Sequence, residues 1–97
     1  MLVVFSLFAY HSDFAQASER KVKTRVEPEY PDLARRNNIY GSARVELLIM
    51  PDGKVKDVRV LGGNPVLAQA VVTAVAKWKY EPAAEASTVI LRFDFNP

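Results

Sequence analysis

The sequence has no cysteine, and its single histidine, His11, stands near the start of the chain. A disulfide framework, a thiol nucleophile and a thiolate metal site are therefore excluded. No carboxylates pair inside an expected cleft, and no glycine-rich phosphate loop follows a strand. Serines and threonines are present, but no base stands ready to activate them. Asp52 and Asp57 are separated by a stretch carrying Lys54 and Lys56, so a hard-cation loop with closely spaced oxygen ligands is unsupported. The expectation is a chain that is not an enzyme and that uses no cofactor or metal. Neither sign of charge dominates: 13 Lys and Arg face 11 Asp and Glu, a formal net charge of +2, and the basic residues form no long block. No apolar run reaches the about 20 residues that cross a bilayer as a helix.

What is present fits one small domain of 97 residues, 49% hydrophobic and 25% charged. Met1 to Tyr10, MLVVFSLFAY, has the length of a secretory apolar region, and Ala15-Gln16-Ala17 fits the small-x-small pattern before a signal-peptidase cut. Residues 1–17 are read as a signal peptide cleaved after Ala17. No Lys or Arg precedes the apolar run, so the remnant of a membrane anchor is the competing reading. Residues 18–27 read as a flexible, charged lead-in, and residues 28–97 as the folded domain.

Within that domain Pro31 to Asn37 is expected as a short helix, with Leu33 and Ala34 facing the core and Asn38 ending it in the left-handed conformation. Ser42 to Met50 alternates, with Ala43, Val45, Leu47 and Ile49 on one face, and its second face is also partly apolar. Pro51-Asp52-Gly53 is a turn signal, Pro presetting φ and Gly supplying a positive φ. Lys54 to Leu61 is the return strand, and Val55 falls out of phase, which predicts a bulge near the turn. Asn64 to Pro82 reads as a long helix capped by Asn64, opened by Pro65 and striped with Leu67, Ala70, Val71, Ala74, Val75 and Trp78, with Lys77 and Lys79 near its C-terminal end. Trp78 and Tyr80 with the flanking lysines could form a base-stacking platform, but Trp78 completes the apolar stripe; core is the favoured reading, with no nucleic-acid partner. Thr88 to Phe95 is the third strand.

These elements define an α+β fold: a three-stranded antiparallel sheet in the order 2-1-3, one long helix on one face, and a short N-terminal helix. A helix of about 14 residues carries the chain back roughly 21 Å. The third strand then runs parallel to the second and antiparallel to the first, and remains an exposed edge.

Three groups of residues now stand in order: Pro28, Tyr30, Pro31, Ala34 and Gly41; Pro51, Asp52, Gly53, Val55, Val58 and Val60; and Trp78, Lys79, Tyr80, Glu81 and Pro82. From about Glu27 to Phe95 the chain resembles the C-terminal domain family of TonB, the periplasmic energy transducer of Gram-negative bacteria. The resemblance implies a domain that captures an extended peptide of an outer-membrane receptor beside the third strand. Thr88, Ile90, Arg92 and Asp94 face away from the helix, and Glu27 and Pro28 fall where the family approaches its receptor; these are the candidate partner contacts. Family members often carry Gln where Glu27 stands. Tyr30, Pro31, Gly41, Asp52, Gly53, Trp78, Tyr80 and Pro82 are the candidate structural residues. The resemblance also implies a periplasmic location, reached through the signal peptide or by an inner-membrane anchor, with a motor complex engaged only through such an anchor. Neither an anchor nor a Pro-rich spacer is expected in the residues before Pro28, which leaves a free periplasmic adaptor as an alternative to a transducer. A homodimer paired through the same edge strand is the other alternative.

Overall fold

The computed structural model describes residues 20–97. The expected signal peptide and its cleavage after Ala17 lie outside the described residues. Among those residues the order is β1 (Val22–Thr24), α1 (Asp32–Arg36), β2 (Gly41–Ile49), β3 (Val55–Gly63), α2 (Pro65–Val75), β4 (Lys79–Tyr80) and β5 (Ser87–Phe95). Strands β3, β2 and β5 form one antiparallel sheet in that order, and β1 pairs with β4 in a second, two-stranded sheet.

The centre falls to β2 because it is apolar on both faces. Ala43, Val45, Leu47 and Ile49 are fully buried beneath α2, while Leu48 on the opposite face is half-buried. At the end of β2, Gly53 donates to the Met50 carbonyl at 2.9 Å, and Asp52 Oδ1 accepts from the Lys54 amide at 3.0 Å. Gly53 takes φ +93°, which a side chain would oppose. The β2–β3 register jumps twice, between Leu48 and Ile49 and between Arg44 and Val45, leaving Lys56 and Leu61 as extra residues on β3. The first of these is the irregularity that the phase of Val55 predicts. By contrast, β2 and β5 pair without interruption from Gly41–Phe95 to Ile49–Ser87.

Helix α2 starts as its sequence dictates. Asn64 Oδ1 accepts from the Val66 amide at 2.8 Å, and Pro65 occupies the first turn. Its buried side chains are Leu67, Ala68, Val71, Ala74 and Val75, with Ala70 only half-buried. The helix is shorter than its apolar stripe suggests. After Val75 the amides of Lys77 and Trp78 bond three residues back, to Ala74 and Val75, tightening the end. Lys79 and Tyr80 then leave as β4 to pair with β1. Trp78 is core, at 2% exposure, but it is delivered by a turn and not by the helix.

Two other expectations change. The charged lead-in is tied down: besides β1, Arg20 Nη1 donates to the Met50 carbonyl at 2.7 Å, and the Glu81 amide donates to the Lys21 carbonyl at 2.8 Å. In α1 only Ala34 is buried, while Leu33 is 54% exposed. Five residues make little more than one turn, so a single position of α1 can face the core. Asn38, at φ +55°, ends that turn.

Candidate functional site

The direction of one hydrogen bond fixes which groups the outer strand offers. The Met50 amide donates to the Lys54 carbonyl at 2.9 Å, across to β3. Successive residues of a strand aim their backbone groups at opposite edges, so the even-numbered residues of the unbulged β2 serve β3 and its odd-numbered residues serve β5. The β2–β5 register joins odd to odd. Ser87, Val89, Leu91, Phe93 and Phe95 therefore bond to β2, and Thr88, Ile90, Arg92 and Asp94 turn their N–H and C=O groups toward the open edge. The side chains of those four residues are exposed, whereas Val89 and Phe95 are buried in the core, Phe95 against Tyr30. Among the described residues, one set thus presents both an unpaired backbone and a solvent-facing side-chain row. Arg92 and Asp94 are linked along it by a 3.1 Å ion pair.

The opposite edge of the sheet is poorer for pairing. Two bulges interrupt β3, and Lys54, Lys56, Asp57 and Arg59 crowd it with charge. Arg59 is drawn across the sheet surface to Glu46 at 2.8 Å.

Glu27 and Pro28 belong to a strap, residues 20–31, that lies over the end of the domain. Trp78 Nε1 donates to the Val26 carbonyl at 2.8 Å, and the Arg25 guanidinium sits 4.9 Å from the indole centroid. Trp78 meets Phe93 edge-on at 6.0 Å, and Tyr30 meets Phe95 edge-on at 5.5 Å. Tyr30 also donates its hydroxyl to the Ile39 carbonyl at 2.7 Å. These contacts bring Glu27 and Pro28 beside the end of β5, where they line a cleft of about 220 Å³ with Tyr30, Phe93, Asp94, Phe95 and Asn96. The expected contact residues therefore form one row with a cleft at its end. Sequence reasoning missed Phe93, Phe95 and Asn96 as cleft walls; the alternation of the two phenylalanines assigned them only to the core. On the other side of the strap a groove of about 600 Å³ runs between Val26, Glu29, Leu33 and the Val66, Ala70 and Thr73 face of α2.

The structural residues meet one another. The Tyr80 amide donates to the Gly53 carbonyl at 2.8 Å, and the Ala83 amide to the Pro51 carbonyl at 2.9 Å, so the hairpin turn rests on the segment ending in Pro82. A Cβ on Gly53 would collide with the Tyr80 carbonyl. Burial pushes the Tyr80 phenol above its usual range, partly opposed by the Arg25 and Arg20 charges. With Trp78 and Tyr80 buried, neither ring offers a face for base stacking. Among the described residues no three acidic, His or Cys side chains cluster as metal donors.

A helix-backed antiparallel sheet with one free, unbulged edge strand and a strapped cleft at its end defines a small α+β edge-presenting domain. Residues 26–97 match the family model described as Gram-negative bacterial TonB protein C-terminal, and the chain belongs to that family. It is 31% identical to Protein TonB of Escherichia coli (strain K12) over 82 residues, covering 82% of this chain and 34% of that protein. Protein TonB of Pseudomonas aeruginosa is 33% identical over 67 residues, covering 67% of this chain and 20% of that protein. The chain thus spans about a third or less of the length of these curated relatives. The solution NMR structure of the Pseudomonas aeruginosa TonB CTD superposes with a TM-score of 0.71 at 30% identity, covering 82% of this chain and 88% of that one.

Proposed function

We propose that this domain captures extended segments of outer-membrane receptors by adding them as a strand to β5, in the service of energy-dependent transport across the outer membrane. The observation that carries the reading is the outward parity of Thr88, Ile90, Arg92 and Asp94 on an uninterrupted strand. An edge of that kind bonds main chain to main chain, while alternate side-chain positions discriminate among partners. Family membership supports a receptor as the partner and the periplasm as the compartment in which the two would meet. Inner-membrane motor coupling, on this reading, belongs to a chain that also carries an anchor.

The test is a pair of prolines. Ile90→Pro removes an outward donor and leaves the β2 ladder intact, so the folded variant is expected to lose capture of receptor plug peptides. Leu91→Pro removes a donor to Val45 and is expected to destabilise the sheet itself. Undiminished pull-down of plug peptides by folded Ile90→Pro would refute strand addition. A homodimer through β5 uses the same groups; sedimentation at low micromolar concentration distinguishes it, because a persistent dimer would occupy the edge a peptide needs.

A further inference from the structure

We infer that the cleft at the end of β5 receives a cationic side chain, lysine or arginine, from the strand that adds there; this rests on the strand-addition reading above. Its volume of about 220 Å³ suits one side chain and not a second element. Glu27 on the strap and Asp94 at the end of β5 both line the cleft and both are exposed, the Asp94 side chain on the face of β5 opposite to Phe93 and Phe95. Among the described residues Glu27 makes no ion pair, while Asp94 holds Arg92 along the strand. Tyr30, Phe93 and Phe95 supply aromatic walls to the cleft that Glu27 lines. The Tyr30 ring already has the Arg35 guanidinium 4.7 Å from its centroid, so the ring tolerates a cation close to it.

The cleft is continuous with the pairing edge. Asp94 contributes to both, its backbone groups facing the incoming strand by the parity above. A partner strand running along β5 therefore passes beside the cleft, and one of its alternate side chains can enter. A carboxylate beside aromatic walls favours a cation with an aliphatic stem, whose methylenes lie on the rings while its charge reaches Glu27. An acidic side chain at that position meets the like charge of Glu27.

The test uses blocked nonapeptides of alternating threonine and valine, with each position replaced in turn by lysine, norleucine or glutamate. Binding is followed by amide shifts of Thr88, Ile90 and Arg92 and by titration calorimetry. One lysine position is expected to bind about three- to fivefold tighter than its norleucine counterpart at low salt, as for a partly exposed ion pair, and glutamate there weaker than both. The advantage is expected to shrink in 0.5 M salt and in Glu27→Gln, and to reverse toward glutamate in Glu27→Lys. Asp94→Asn removes the carboxylate on the opposite face of β5, leaves the strap untouched and is expected to reduce the preference less than Glu27→Gln does. Peptides that shift the β5 amides with no dependence on charge at any position would overturn the inference and leave strand addition standing. Peptides that leave those amides unmoved would overturn both.

Discussion

Replacing Trp78 by Phe tests whether the strap is held by the indole. The substitution keeps an aromatic ring but removes Nε1–H, which donates to the Val26 carbonyl at 2.8 Å, and with it the buried part of the larger ring. The lost bond is worth about 1 kcal/mol. Truncating a side chain only 2% exposed adds about 1–2 kcal/mol, a fraction of a full truncation to alanine. Poorer stacking of Arg25, now 4.9 Å from the centroid, removes up to about 0.5 kcal/mol. Together about 2–3 kcal/mol should disappear from the urea unfolding free energy followed by far-UV circular dichroism. The loss should also be uneven. The Glu81 amide, which donates to the Lys21 carbonyl, reports the strap, and the Val45 amide reports the β2–β5 ladder. Native-state hydrogen exchange at Glu81 should accelerate at least about tenfold more than at Val45, the equivalent of 1.4 kcal/mol of local opening. Equal acceleration at the two amides would refute the reasoning, because it would mean that strap and sheet open as one unit.

Gly53→Ala combines a positive φ of 93° with a collision against the Tyr80 carbonyl; a loss of more than about 2 kcal/mol is expected in thermal unfolding. Gly53→Asn, which tolerates the dihedral but not the collision, should not rescue it. Among the described residues Ser87 Oγ is buried without a hydrogen-bond partner, so Ser87→Ala should hold or raise the urea unfolding free energy, by up to about 1 kcal/mol. Because the folded Tyr80 phenol titrates above its unfolded value of about 10, folding holds the proton more tightly. Its contribution is intact below pH 10 and is lost as pH rises through the folded value. Urea midpoints measured from pH 9 to 12 should fall less steeply for Tyr80→Phe than for the unaltered chain.

The sheet and its free edge were legible because their signals are local: period-two alternation in β2 and β5, and a Pro-Asp-Gly turn between β2 and β3. The end of α2 was not. Trp78 follows Val75 by three residues and so continues a helical stripe on paper, yet the chain turns there because Lys79 and Tyr80 find partners in β1, more than 50 residues earlier. A strand of three residues against one of two carries no periodicity, so that pairing leaves no mark in the sequence. Leu33 failed for the opposite reason, since a helix of five residues is too short for its apolar positions to fix a phase. The cleft needed the first of these repaired, because its walls come from β5 and from the strap that the β1–β4 pairing ties down. Glu27 could be named from the family pattern, but that it lines the same cleft as Asp94 could not.

The double bulge of β3 has a consequence for valence. A sheet with two equally receptive edges is bifunctional and can grow without limit, each added strand exposing another edge. Here one side is spoiled by Lys56 and Leu61, so the domain has a single reactive end. On the strand-addition reading, pairing of that end with the same edge of a second copy closes both sheets, and no further strand adds to either. On that reading the stoichiometry is set by the backbone of β3, the strand that takes no part in binding.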